Sequence, residues 1–129
     1  MATLILGGAR SGKSRYAQTL AESSSTTRIF IATAEAFDEE MTNRIARHIA
    51  DRGDSWATVE APLNVSRAIR DSVSEDCVVV VDCLTLWLSN LMHAKLDVEH
   101  QVRELAETLK TSTTPLILVS NGARRNIRS

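Results

Sequence analysis

The sequence contains 129 residues, of which 43% are hydrophobic and 24% are charged, and its formal net charge at pH 7 is -1. This length and apolar content suit one globular domain with a core of its own. The balanced charge argues against nucleic-acid binding and against an anionic membrane surface, and no apolar run is long enough to span a bilayer. Because the chain opens on a strand pattern rather than a signal segment, we expect a cytoplasmic protein.

The N-terminal segment combines a short apolar strand, a glycine-rich loop and a helix. Residues 3–6 predict the strand, which we expect to be buried, and residues 14–21 predict the helix. Between them, GGARSGKS fits the phosphate-loop pattern G-x-x-x-x-G-K-[ST] at every fixed position, in the structural context that this motif requires. The predicted phosphate loop consists of Gly7, Gly8, Ala9, Arg10, Ser11, Gly12, Lys13 and Ser14.

The chemistry of this loop predicts a site for a nucleoside triphosphate and Mg²⁺. Its glycines allow successive backbone N–H groups to turn towards a phosphate, and the next helix adds the positive end of its dipole. Lys13 supplies a charge for the β- and γ-phosphates, and the Ser14 hydroxyl is a suitable magnesium ligand. The alternative is a glycine-rich turn with Lys13 as a surface lysine. The motif does not distinguish kinases, ATPases, GTPases and nucleotidyltransferases.

A second strand and an amphipathic helix follow. Residues 28–33 have the continuous apolar character of a strand covered on both faces. The helix is predicted to run from an N-cap at Asp38 to about Arg52, with Gly53 as its stop. One face should pack on the rest of the protein and direct His48 towards it. That face carries Met41, Ile45, His48 and Ile49.

The third and fourth strands carry carboxylates at their ends. Trp56–Glu60 predicts a short strand, and residues 64–71 predict a short helix. Cys77–Asp82 is β-branched throughout its centre and closes on a carboxylate, as a Walker B strand does. Ligands of open parallel sheets gather at the carboxyl ends of strands, so Asp82 and Ser14 should both reach a metal–nucleotide site. Alternatively, Asp82 is only a turn residue at a strand end.

The remaining elements complete an alternating pattern. Residues 84–92 predict a largely apolar helix that contains Trp87, and residues 115–120 predict a fifth strand. Alternation of strands and helices favours a parallel α/β sheet, and with the phosphate loop it predicts a P-loop NTPase-like, RecA-like three-layer sandwich. Cys77 and Cys83 show no metal-binding spacing and are expected to be reduced core residues. A second helix before the last strand is predicted by Val98, Val102, Leu105 and Leu109.

Several segments together resemble one family, the bifunctional adenosylcobinamide kinase and adenosylcobinamide-phosphate guanylyltransferase of cobalamin biosynthesis. Joint matching of these segments is much more specific than the phosphate loop alone. The matching segments are GGARSGKS at residues 7–14, IATA at 31–34, DEEM at 38–41, RIARH at 44–48, WATVE at 56–60 and VDCLTLWLSNL at 81–91.

The resemblance implies two reactions at one nucleotide site. The first phosphorylates the hydroxyl of adenosylcobinamide, with ATP or GTP as donor. The second transfers GMP from GTP to the new phosphate through a guanylyl-histidine intermediate, and His48 occupies the matching position. Its spacing alone favours the alternative, in which His48 is a half-buried, hydrogen-bonded and inert helix residue. The family's nucleotide contacts correspond to residues 7–14 and to Ala32, Thr33, Ala34, Ile49, Ala50, Asp51, Arg52, Glu60 and Asp82.

For three polar residues of these segments, the sequence leaves a simpler structural role open beside the functional one. Glu60 can accept a hydrogen bond from guanine or simply end its strand. Arg44 and Arg47 can clamp phosphate or form a solvated helix face.

The sequence departs from the family after residue 121. Relatives continue with a glycine-rich loop, a long helix and further strands, whereas residues 122–129 (GARRNIRS) match none of these. We therefore expect one P-loop domain over residues 1–121, a divergent tail over 122–129, and a C-terminally truncated fold. An exposed sheet edge and uncovered apolar surface would favour a homo-oligomer or marginal stability.

The sequence is compatible with three functions. The first is the kinase and guanylyltransferase, acting on a nucleoside triphosphate and adenosylcobinamide. The second is a plain P-loop kinase or ATPase with an inert His48. The third is a non-catalytic remnant of the family that binds nucleotide or assembles with longer partners.

Overall fold

The computed structural model describes residues 2–7, 12–25, 27–34, 39–53, 55–73 and 76–121. For residues 13, 14, 41, 44, 48, 51 and 121 it describes the backbone only. The strands are β1 (Ala2–Gly7), β2 (Thr27–Ala32), β3 (Trp56–Glu60), β4 (Cys77–Asp82) and β5 (Leu116–Asn121). The helices are α1 (Lys13–Glu22), α2 (Glu39–Arg52), α3 (Val65–Ser72), α4 (Leu84–His93) and α5 (Val98–Thr111).

The five strands form one parallel sheet in the order β1-β5-β4-β2-β3. β4 lies at its centre, and Val78, Val79, Val80 and Val81 are all buried. A parallel strand needs a covering crossover, and helices lie between the strands in sequence at every step. The predicted parallel α/β architecture is therefore confirmed. All carboxyl ends meet at one edge of the sheet, which we call the carboxyl edge.

The core divides into two clusters, one on each face of the sheet. On the first face, Ala17 and Ala21 of α1 pack with the side chains of Val80 and Val119. On the second face, Val65 and Ile69 of α3 pack with Trp87, Leu91 and Leu105 of α4 and α5. The sheet with helices on both sides gives the predicted three layers, and Trp87 of α4 is buried.

The structure corrects the predicted burial of β1. Within the described residues β1 pairs only with β5, so it is an edge strand. Ile5 packs on the first face, but Leu4 and Leu6 point to the second face and are 54% and 65% exposed. The apolar run correctly predicted a strand. It did not predict that this strand lies at the edge of the sheet, because strand order depends on tertiary pairing.

Two amphipathic predictions also need correction. In α5, Leu105 is buried but Val102 is 43% exposed, so the predicted apolar face is narrower than its spacing suggested. In α2, Ile45 is half-buried and Ile49 is 38% exposed, and neither belongs to a buried cluster. The predicted N-cap at Asp38 and the tail at 122–129 lie outside the described residues. No helix in the described part of the chain is long and apolar enough to cross a membrane.

Candidate functional site

The backbone around the predicted phosphate loop has the frame that the motif needs. β1 ends at Gly7 on the carboxyl edge, and α1 begins at Lys13. Between them Gly12 has φ 82, in the left-handed region that favours glycine. A Cβ on Gly12 would meet no atom of the described residues within 4 Å, so it is the backbone conformation that favours glycine here. Gly8, Ala9, Arg10 and Ser11 lie outside the described residues, and Ser14 is described by its backbone alone.

Three predicted site residues lie side by side in the sheet. The register pairs Glu60 with Ala32, and Ala32 with Asp82. Paired residues of parallel strands point to the same face of the sheet. Val119 is paired with Asp82 and packs in one cluster with Ala17 of α1, so this row of residues points to the face that α1 covers. With adjacent strands ~4.8 Å apart, the backbones of Glu60 and Asp82 are roughly 10 Å apart. The sheet therefore carries two carboxylates at its carboxyl edge, on the face that α1 covers.

Thr33 fastens the ends of β2 and β4 together. Its side chain is fully buried. Its hydroxyl Oγ1 donates to the Cys83 carbonyl (2.9 Å) and accepts from the Cys83 N–H (2.8 Å), and its own N–H donates to the Asp82 carbonyl (3.1 Å). These bonds hold Asp82 at its place on the carboxyl edge. A direct contact of Thr33 or its half-buried neighbour Ala34 with nucleotide stays a prediction.

Asn90 is a supporting residue that sequence reasoning did not assign. Its side-chain amide Nδ2 donates to the Thr33 carbonyl (2.8 Å) and to the Pro62 carbonyl (3.0 Å). One α4 side chain thus joins the end of β2 to the loop after Glu60. An amide within an otherwise largely apolar helix was the available signal, because a half-buried amide needs hydrogen-bond partners.

Arg52 lies against the sheet on the same face as Asp82. Its guanidinium carbon is 3.6 Å from the Phe30 ring centroid, and Nη2 donates to Thr58 Oγ1 at 3.2 Å. Desolvation lowers the pKa of Arg52, and the negative charge of Asp82 partly opposes that shift. Its Nε is buried and has no hydrogen-bond partner within the described residues. Ile49 and Ala50 are exposed, and Asp51 is described by its backbone alone.

The helix placement separates the three histidines. His48 lies in α2, one turn before Arg52, and Arg52 brings this helix onto the face of α1. His93 and His100 belong to α4 and α5, which cover the other face. The side chain of His48 is not among those described. Its predicted role is compatible with the backbone position but stays a prediction.

The residues at the carboxyl edge suit Mg²⁺ bound together with phosphate. No group of three or more potential metal-ligating His, Cys, Asp or Glu side chains occurs among the described residues. Mg²⁺ typically keeps several waters and uses one or two protein ligands with substrate phosphates, and Asp82 is half-buried at the expected strand end. The predicted partner ligand is Ser14, whose place at the start of α1 is described.

This sheet, with its glycine turn between the first strand and the first helix, defines an α/β protein of the phosphate-loop class. The chain belongs to the CobU family, described as cobinamide kinase / cobinamide phosphate guanyltransferase, whose model matches residues 3–127. The resemblance predicted from the sequence is therefore confirmed. The family match extends past residue 121, where the resemblance was expected to end.

Three curated relatives show the same similarity. The chain is 46% identical over 125 residues to the bifunctional adenosylcobalamin biosynthesis protein CobP of Pseudomonas aeruginosa, covering 94% of this chain and 71% of that protein. It is 39% identical over 92 residues to CobU of Escherichia coli and 35% identical over 94 residues to CobU of Salmonella typhimurium, both also named bifunctional adenosylcobalamin biosynthesis proteins. Those matches cover 71% and 73% of this chain, and 50% and 51% of the relatives.

Proposed function

We propose that this chain phosphorylates adenosylcobinamide and then transfers GMP from GTP to the adenosylcobinamide phosphate. Family membership supports the pair of reactions. The observation that carries the proposal for this chain is the alignment of Glu60, Ala32 and Asp82 on the face where α1 begins and where α2 carries His48. One nucleotide site on that face serves both steps.

In the kinase step, the substrate hydroxyl oxygen attacks the γ-phosphorus of ATP or GTP. The bond from the γ-phosphorus to the β–γ bridging oxygen breaks, the nucleoside diphosphate leaves, and the hydroxyl proton is released to solvent. The loop N–H groups and Lys13 hold the β- and γ-phosphates, so catalysis comes from positioning and charge stabilisation. Bound Mg²⁺ would neutralise charge on the phosphates, with Ser14 and Asp82 as its protein ligands. Glu60 is suited to accept hydrogen bonds from the N–H groups of guanine.

In the transfer step, a neutral imidazole nitrogen of His48 attacks the α-phosphorus of GTP. The bond between the α-phosphorus and the bridging oxygen breaks, and pyrophosphate leaves. A phosphate oxygen of adenosylcobinamide phosphate then attacks the same phosphorus, the P–N bond breaks, and adenosylcobinamide-GDP is released with free His48. Imidazole is suited to this role because it is largely neutral near pH 7 and forms a reactive phosphoramidate.

A labelling experiment tests this function. The protein is incubated with Mg²⁺ and GTP labelled at the α-phosphate, and the label on protein is measured for stability to base and lability to acid. We expect label on wild type and on His93→Ala, a matched histidine on the opposite face, and none on His48→Ala. The label should be discharged by adenosylcobinamide phosphate. Equal labelling of wild type and His48→Ala would show that the guanylyl group is not transferred through His48.

We further propose that the protein acts in the cytoplasm and as a homo-oligomer. Its proposed nucleoside triphosphate substrates are cytoplasmic metabolites, which supports the location. The exposed side chains of Leu4 and Leu6 on an edge strand support self-association, because such edges are templates for pairing with another chain.

A further inference from the structure

The C-terminal turn of α2 is attached to the sheet by an unusual contact. The Arg52 guanidinium lies over the Phe30 ring, with its central carbon 3.6 Å from the ring centroid, and its Nη2 donates to the Thr58 hydroxyl. Phe30 in β2 and Thr58 in β3 are paired in the sheet register. Two neighbouring strands thus hold one side chain of the helix. We call these three residues the arginine clamp.

Among the described residues, α2 contributes no side chain to the two buried clusters, unlike α1 and α3. α1 places Ala17 and Ala21 in a buried cluster, and α3 does the same with Val65 and Ile69. The apolar side chains of α2 that the structure describes belong to neither cluster; they are Ile45, Ala46, Ile49 and Ala50. Among the described side chains of α2, Arg52 is therefore the one that contacts the sheet on both Phe30 and Thr58.

The clamp is selective for a planar cation. A guanidinium can stack on a ring and donate sideways from the same plane, whereas an ammonium is a compact point charge. Its Nε is buried without a hydrogen-bond partner in the described part of the chain. The described contacts that act on the guanidinium are the Phe30 ring, the Thr58 hydroxyl and the negative charge of Asp82. The ring is itself held, because Trp56 meets it edge-on at 6.1 Å between centroids.

We propose that Phe30 and Thr58 are positioning residues for the guanylyl-transfer step. By holding Arg52 they fix the last turn of α2, and residue 48 lies four residues earlier on the same helix face, ~6 Å along the axis. The clamp thereby sets where the His48 backbone lies relative to Asp82. The kinetic part of this proposal rests on the proposed function, but the attachment of α2 does not.

The first test measures amide hydrogen exchange in residues 39–52. Phe30→Leu keeps an apolar side chain but removes the ring, and it should speed exchange there by about 3- to 30-fold, the range of a partly desolvated cation–π contact. Phe30→Tyr keeps the ring and should stay near wild type. Ile117→Val is the matched control, because Ile117 lies in the same cluster without a place in the clamp. It should leave exchange in α2 unchanged.

The second test asks whether Phe30 acts through Arg52. Arg52→Lys and Thr58→Val should each speed the exchange, and Phe30→Leu combined with Arg52→Lys should exceed the larger single effect by less than about twofold, since both remove one interaction. Additive effects in this cycle, or equal α2 exchange in Phe30→Leu and Ile117→Val, would overturn the clamp.

The third test separates positioning from nucleotide binding. Phe30→Leu should slow single-turnover labelling by α-labelled GTP about tenfold while half-saturation by GTP changes less than about threefold. A loss of GTP affinity with an unchanged labelling rate would overturn the positioning role. Wild type without any label would instead be a failure of the proposed function, and the exchange experiments would still decide whether the clamp holds α2.

Discussion

Thr33 shows how a predicted ligand contact can be part of the framework that supports the site. Its hydroxyl both donates to and accepts from the Cys83 backbone, and the side chain is fully buried. The IATA segment was assigned to nucleotide binding by resemblance, which does not show which of its atoms are already used inside the protein. For this residue, the structure shows a hydroxyl committed to joining two strand ends.

Replacement of Thr33 by Val should therefore destabilise the fold. Val has the same shape but removes the hydroxyl that accepts from the Cys83 N–H, and loss of a buried hydrogen bond of this kind typically costs about 1–3 kcal/mol. The Cys83 carbonyl loses the Thr33 hydroxyl but still accepts from the Trp87 N–H. Thr33→Ser keeps the hydroxyl and should lose clearly less. Urea unfolding followed by circular dichroism measures the difference, and equal midpoints for the two variants would contradict this account.

Gly12 allows backbone conformation to be separated from steric space. An alanine there would keep φ 82 at a cost of about 1–2 kcal/mol, or shift the backbone at the start of α1. We expect Gly12→Ala to weaken triphosphate binding, measured by calorimetry, because the loop N–H groups would be displaced. Gly53→Ala is a matched control, since Gly53 has φ 83 and equally open surroundings outside the loop. Similar loss of affinity in both variants would argue against a phosphate loop.

At the scale of elements, α4 connects the site to the second face of the sheet. Trp87 and Leu91 anchor it in the core, and Trp87 Nε1 also donates to the Leu63 carbonyl at 2.9 Å. Asn90, on the same helix, holds Thr33 and Pro62. One helix thus ties the end of β2 to the loop that follows Glu60.

Asn90→Ala should loosen this connection. It leaves two backbone carbonyls without their donor, so we expect a loss of about 1–3 kcal/mol in unfolding free energy. Hydrogen exchange should also rise in residues 60–64, because the loop loses its tie to β2. Met92→Ala, at an exposed position of the same helix, is the control and should change neither quantity. Unchanged exchange in the loop of Asn90→Ala would show that Asn90 does not support it.

Sequence patterns predicted the elements well because each pattern is local. The valines of β4 and the positions of Val65 and Ile69 on α3 reflect periods that the chain imposes on itself. The place of β1 at an edge and the contact between Arg52 and Phe30 depend on which strands become neighbours. Such pairings involve residues distant in sequence, so periodicity carries no information about them. The row of Glu60, Ala32 and Asp82 was likewise visible only after the strand order was known.

At the scale of the whole molecule, the edge strand β1 exposes apolar side chains on one face of the sheet. β1 has the sequence ATLILG, without the charge or proline that commonly blocks edge pairing. Leu4 points to the same face as its partner Leu118, yet Leu118 is buried while Leu4 is exposed. Within the described residues the helices of this face cover β5 and leave much of β1 open. Burial of Leu4 and Leu6 by a second chain would remove this apolar surface from water.

We therefore expect Leu4→Thr combined with Leu6→Thr to weaken self-association. Threonine retains strand propensity while reducing the apolar surface that a partner would bury, so the fold should persist as the dissociation constant rises about tenfold or more. Sedimentation equilibrium over a concentration series measures this change. Val102→Thr removes a similarly exposed apolar side chain from α5 and should leave the constant unchanged. A wild-type protein that stays monomeric at all concentrations would show that β1 is not an interface between copies of this chain.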